Sequence, residues 1–129
     1  MNVPFMGGDG WDSADLNLEA AAGGYFTNHY SPDSQAPLAV SFRAAFEAKY
    51  DKTPDALAAL AYDATNLLLA AIEAAGADDT DKVVAALNEI SFDAVSGTIT
   101  FDDQHNPIKS ATILKVTTDG VMFEAVVNP

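Results

Sequence analysis

Three glycines within four positions, in the run Phe5-Met6-Gly7-Gly8-Asp9-Gly10-Trp11-Asp12-Ser13, constrain this chain more than any other stretch. The mostly apolar residues 1–6 read as the end of a buried strand and the glycines as a tight turn. Asp12 or Ser13 then suits the cap of a helix beginning near Ala14. Glycine lets the backbone reverse sharply and lets a ligand come close to it. In open α/β sheets ligands gather at the carboxyl ends of strands, and this turn has that position.

The charge of the turn narrows the ligand. A helix N-terminus ordinarily favours an anion such as phosphate. Here Asp9 and Asp12 flank the glycines with no Lys or Arg nearby, and two carboxylates repel phosphate. Neither G-x-x-x-x-G-K-[ST] nor a complete G-x-G-x-x-G occurs. An aspartate at such a turn suits an ammonium group or a hydroxyl-rich ligand, with Trp11 as an apolar or cation–π wall. The competing reading makes Asp9 a plain turn residue and Trp11 a core side chain, because Asp-Gly turns are common.

At 129 residues the chain is long enough for one domain with its own core. Its 19 acidic and 6 basic side chains give a formal net charge of −13. Such a surface repels nucleic acid and anionic lipid, so neither is an expected partner. No apolar run approaches the roughly 18–20 residues of a membrane span. With no cysteine, disulfides, thiol catalysis and cysteine-rich zinc sites are excluded. Met1-Asn2-Val3-Pro4 has neither the basic nor the apolar region of a secretory signal. A strand that starts at residue 2 with no turn before it reads as the interior of a longer polypeptide.

Periodicity organises the rest. Residues 12–22 read as a short helix ended by Gly23-Gly24. Residues 24–30 read as a strand, so the first thirty residues form a βαβ unit with a parallel pair and a right-handed crossover. Ser34 suits the cap of a helix with Pro37 in its first turn, and Leu38, Phe42, Ala45, Phe46 and Tyr50 recur on one face. Thr53 and Pro54 then suit the cap and first residue of a helix over 54–75, apolar around much of its circumference and therefore expected to be buried on more than one side. Gly76 ends it. Asp78-Asp79-Thr80 opens another helix to about Ile90, with Val83, Val84, Leu87 and Ile90 facing inward. Period two then predicts strands over 95–101, 108–116 and 121–127, with turns at 102–107 and 118–120.

No catalytic set emerges. His29 and His105 lack a second ligand at i+3 or i+4, which argues against zinc. The acidic turn Asp102-Asp103-Gln104-His105-Asn106 lacks the closing glutamate of a calcium loop. G-x-S-x-G is absent. Tyr62-Asp63 is the one polar pair on the apolar helix, equally readable as a core-edge tyrosine or a ligand wall. A binding module without a cofactor is favoured over an enzyme.

Several stretches together resemble the branched-chain amino-acid-binding proteins of ABC transporters. They are Gly7-Gly8-Asp9-Gly10-Trp11-Asp12-Ser13, Gly24-Tyr25-Phe26 through His29-Tyr30-Ser31-Pro32, and Phe42…Tyr50 followed by Thr53-Pro54-Asp55-Ala56. Ala61-Tyr62-Asp63-Ala64 and Gly97-Thr98-Ile99-Thr100-Phe101-Asp102 complete the series. No single motif is specific; their order and spacing are.

The resemblance implies an α/β fold, a fragment of the type I periplasmic-binding-protein fold, in which two lobes enclose a cleft. By it, residues 1–30 and 109–129 belong to the second lobe and 31–108 to the first, and the chain matches roughly the final third of such a protein. It gives Asp9 the ligand's α-ammonium and Leu57 a wall of the side-chain pocket, with Trp11 and Tyr62 close by. The family residues that grip the α-carboxylate have no counterpart here. The implied function is the extracellular or periplasmic solute-binding component of an amino-acid ABC transporter, with a membrane permease as partner. A ligand-sensing receptor domain of the same fold is the alternative. A partial chain of this kind leaves sheet edges and helix faces uncovered and is expected to self-associate or to rearrange into one compact unit.

Overall fold

The computed structural model describes residues 3–76 and 79–129. Its first sheet joins the two ends of the sequence. Strand β1 (Met6–Gly7) runs parallel to β2 (Tyr25–Asn28), with Met6 opposite Tyr25. On its other side β2 pairs antiparallel with β6 (Ala111–Thr117), and β6 forms a hairpin with β7 (Gly120–Val127), giving the order β1-β2-β6-β7. Along β6 the residues Thr112, Leu114 and Val116 are buried at every second position, as a half-covered strand requires. Phe26 lies opposite Leu114, and both join Val116 and Ala21 in one apolar cluster with Trp11, Leu16, Leu18 and Val121 packed against it.

The parallel pair expected of a βαβ unit is present, but its helix is much shorter than residues 12–22. Helix α1 covers Leu18–Ala21 only. The expected caps serve other ends: the Asp12 carboxylate accepts from the Asn28 amide, and Ser13 Oγ accepts from the Asp15 N–H. Asn17 is the residue that caps, its Oδ1 accepting from the Ala20 N–H at 3.0 Å.

The second body lies between β2 and β6 in sequence. Helix α2 spans Pro37–Tyr50, helix α3 Ala56–Ala75 and helix α4 Thr80–Glu89. Ala36 occupies the N-cap of α2 without a side-chain bond, while Ser34 Oγ accepts from the Ala36 N–H. At α3 the expected Thr53 cap is replaced by Asp55, whose Oδ1 accepts from the Ala58 N–H at 2.8 Å; Thr53 donates its hydroxyl to Glu47 instead. Gly76, at φ 65°, closes α3 in the left-handed conformation that glycine tolerates best. Asp79 caps α4, and Asp78 lies outside the described residues. Val83 of α4 is buried, but Val84 is 44 % exposed and does not face inward as expected.

The predicted strand over 95–101 is broken in two. Strand β3 (Phe92–Ala94) and strand β4 (Gly97–Phe101) form an antiparallel pair joined through Val95 and Ser96, and β5 (Pro107–Ile108) completes a three-stranded sheet. The reason is Asp63. Its carboxylate is 2 % exposed and accepts from the Val95 N–H at 2.8 Å and the Ser96 N–H at 2.9 Å, which pins a turn where periodicity alone predicts a straight strand. Gly97, at φ 108°, completes that turn.

Helix α3 was expected to be buried on more than one side. Ala56, Ala59, Asp63, Leu67 and Ala71 form a single buried stripe at helical spacing. Leu57, Tyr62, Leu68 and Leu69 are all roughly half exposed or more. By length and composition α3 could cross a membrane, yet its central Asp63 is committed to the β3–β4 turn, as in a core helix. The chain exposes 8393 Å² in all. A compact monomer of 13.5 kDa exposes about 6,500 Å², so roughly 1,900 Å² is in excess.

Candidate functional site

The glycine-rich turn divides its side chains between core and solvent. Residues Asp9–Trp11 form one 3-10 turn, closed by Trp11 N–H to Gly8 O at 3.0 Å and Asp12 N–H to Asp9 O at 2.9 Å. Trp11 folds inward: its indole covers Gly7, where a Cβ would collide with the ring, and meets the Phe26 ring at 6.1 Å between centroids. Asp9 points the other way, its side chain 68 % exposed.

The carboxyl end of β2 organises this acidic turn. Asn28, 3 % exposed, donates from Nδ2 to Asp12 Oδ2 at 2.9 Å and accepts the His29 N–H on Oδ1 at 2.8 Å. His29 Nε2 lies 3.4 Å from Asp9 Oδ2. The last residue of β2 and the one after it therefore hold one turn carboxylate each.

The N-terminal turn of α3 faces this arrangement. A cavity of about 280 Å³ is lined by Asp9, Gly10, Asp12, Asn28 and His29 on one side and by Ala56, Leu57 and Leu60 on the other. The structure thus brings Asp9 and Leu57 together, 48 residues apart in sequence. A second cavity of about 370 Å³ shares Asp9, Asn28 and His29 and adds Thr27, Lys109, Ser110 and Ala111. Lys109 Nζ donates to Ser96 Oγ at 2.8 Å; burial holds the ammonium below the usual lysine range, and the Asp63 charge partly restores it.

Trp11 and Tyr62 line neither cavity. Trp11 supports the turn from beneath, and Tyr62 packs at a tilt against Phe42 at 5.0 Å between ring centroids, over a separate groove with Leu38 and Val95. Asn28, His29 and Leu60 join the site without having been singled out as site residues in the sequence. The available signal was the position of Asn28 and His29 at the carboxyl end of a predicted strand, where α/β ligands gather.

The acidic turn between β4 and β5 folds on itself. Asp102 accepts from the Gln104 and Asn106 backbone N–H groups and from the Asn106 side chain. These bonds, the Asn106 side chain first, hold its carboxyl below the usual range. His105 Nδ1 lies 2.9 Å from Asn88 Oδ1. Among the described residues no three His, Cys, Asp or Glu side chains gather as a metal site.

Two carboxylates beside two leucines make a site that attracts a cation and accommodates an aliphatic group. A model of the family described as periplasmic binding protein matches residues 1–121. A leucine-binding protein of Thermotoga maritima is 39 % identical, with a TM-score of 0.85 over 100 % of this chain and 38 % of its own. The branched-chain amino-acid transporter substrate-binding protein LivJ of Streptococcus pneumoniae, solved with isoleucine, is 30 % identical, with a TM-score of 0.83 over 99 % of this chain and 38 % of its own. A solute-binding protein of an ABC transporter from R. palustris, solved with benzoate, is 26 % identical at a TM-score of 0.77, covering 98 % of this chain and 36 % of its own. None of the curated proteins matches. The chain therefore spans less than two-fifths of the length of these solved relatives.

Proposed function

The chain belongs to the periplasmic binding protein family, and from that premise we propose that it forms part of an extracellular or periplasmic receptor for a branched-chain or other small amino acid, delivering it to an ABC-transporter permease. The observation that carries this reading is the cavity in which the Asp9 carboxylate faces Leu57 and Leu60. A free amino acid presents an ammonium group and a side chain a few ångströms apart, and an anion beside an aliphatic wall matches both. The solved relatives named for leucine or carrying isoleucine support an aliphatic ligand. The relative holding benzoate shows that members of this fold also take ligands with no ammonium group.

Asp9 is the ammonium acceptor in this reading and Leu57 the side-chain wall. Trp11 contributes by holding the turn, and Tyr62 belongs to the outer face of α3. The two lobes follow the strand pairing: residues 1–30 with 109–129 form one and 31–108 the other. Support for that division comes from β1, β2, β6 and β7 sharing a sheet while β3, β4 and β5 form their own. Asp9 and Leu57 then stand on opposite lobes, and lobe closure around the ligand is the signal passed to the transporter.

Calorimetry with leucine and with 4-methylpentanoate, which lacks only the amino group, tests the reading. Leucine is expected to bind and the analogue to bind at least about tenfold more weakly, the scale of a charge-assisted bond. Equal binding of the two would remove Asp9 from the proposed role.

A further inference from the structure

We propose that His29 is the positioning residue of the Asp9 carboxylate and makes capture of an ammonium ligand depend on pH. This rests on the reading of Asp9 as the ligand's anion. His29 Nε2 lies 3.4 Å from Asp9 Oδ2, an ion-pair contact, and among the described residues neither Asp9 side-chain oxygen accepts a hydrogen bond. A neutral imidazole carrying its proton on Nε2 turns a positive edge toward Oδ2 and leaves the lone pairs of Oδ1 for the ligand. The backbone that carries the imidazole is held, since the His29 main-chain N–H donates to Asn28 Oδ1 and Asn28 holds Asp12 in turn. Asp9, 68 % exposed on a short turn, would otherwise sample several rotamers, and His29 reduces that number.

Protonation changes the partner rather than the position. An imidazolium beside Oδ2 neutralises the charge that draws the ammonium and adds a like charge next to it. Among the described residues lining the two cavities, the turn supplies the Asp9 and Asp12 carboxylates and the segment before β6 supplies the Lys109 ammonium. Helix α3 contributes Ala56, Leu57 and Leu60 and no charge to the shared cavity. Bound ammonium disfavours the imidazolium, so binding releases a proton and affinity rises as pH increases through the histidine range.

The test compares leucine affinity at about pH 5 and about pH 8 in the wild type, His29→Gln and His29→Ala. The wild type is expected to bind several-fold more tightly at the higher pH. His29→Gln, which donates but carries no charge, is expected to keep the higher-pH affinity and lose the pH dependence. His29→Ala should be several-fold weaker at both pH values. A His29→Gln chain that keeps the wild-type pH dependence overturns the proposal. A ligand-free arm separates it from the amino-acid reading: Asp9→Asn is expected to move the His29 ring nitrogen resonances while Lys115→Gln, on β6, leaves them in place. Rings unmoved by Asp9→Asn overturn the brace whatever the ligand. Rings that move in a chain binding no amino acid uphold the brace and discard the ligand assignment.

Discussion

Replacing Asp63 tests whether a buried carboxylate shapes the turn between β3 and β4. Its two oxygens each take one backbone N–H, from Val95 and Ser96, at 2.8 and 2.9 Å, in a site 2 % exposed. Hydrogen bonds to a charged group contribute about 1.5–3 kcal/mol each, and a buried N–H left without an acceptor costs about 1–3 kcal/mol. Asp63→Ala strands both donors, so a loss of roughly 3–5 kcal/mol is expected. Asp63→Asn keeps one acceptor oxygen but turns an NH₂ toward the other donor, so a loss of about 1.5–3 kcal/mol is expected. Against a total stability of about 5–15 kcal/mol, the asparagine variant stays measurable even where the alanine variant unfolds. Urea denaturation followed by circular dichroism gives the total, and amide exchange gives the location. In the asparagine variant the Val95 and Ser96 amides should exchange about tenfold faster or more relative to the β6 amides. An asparagine variant within about 0.5 kcal/mol of wild type, with unchanged exchange at both amides, refutes the reasoning.

Two further outcomes follow from exposed and unpaired groups. The Tyr30 hydroxyl is buried with no hydrogen-bond partner among the described residues, and burial raises its pKa above the ordinary 10.0. Tyr30→Phe should be neutral or stabilising by up to about 1 kcal/mol in urea denaturation. Because the folded chain resists ionisation here, Tyr30 adds no ionisation penalty below pH 10.0 and destabilises the fold as pH rises beyond it, so Tyr30→Phe should reduce the alkaline loss of stability. The excess of roughly 1,900 Å² over a compact monomer exceeds the ~800 Å² that each partner buries in a standard protein interface, so the isolated chain should self-associate at micromolar concentration. Sedimentation showing a monomer across that range would count against it.

The sequence reveals whichever features depend on local pattern and conceals those that depend on a distant partner. The period-two run through Leu114 and Val116 becomes β6, and the helical spacing of Phe42, Phe46 and Tyr50 becomes α2. The pinned turn at Val95-Ser96 was not legible, because Asp63 lies more than thirty residues upstream. Caps went astray for a related reason: Asp12 and Thr53 have good capping side chains, but Asn28 and Glu47 engage them first. The exposure of Leu57, Tyr62, Leu68 and Leu69 could not be read from an apolar helix, because apolarity shows what a helix prefers to bury and not whether the covering surface is present. The pairing of Asp9 with Leu57 in one cavity needed the family resemblance to anticipate. The approach of His29 to Asp9 arises where two segments meet and is not written in either of them.

Trp11 gives the most direct reading of the central claim. It is the sole tryptophan, and it packs directly beneath the turn that carries Asp9. Its fluorescence is followed while leucine, isoleucine, valine, alanine, phenylalanine and glutamate are titrated in turn, with Asp9→Asn alongside. The account predicts a saturable change with an aliphatic amino acid that is lost or weakened at least about tenfold in Asp9→Asn. A saturable change that survives Asp9→Asn undiminished, or none with any of the six, contradicts it.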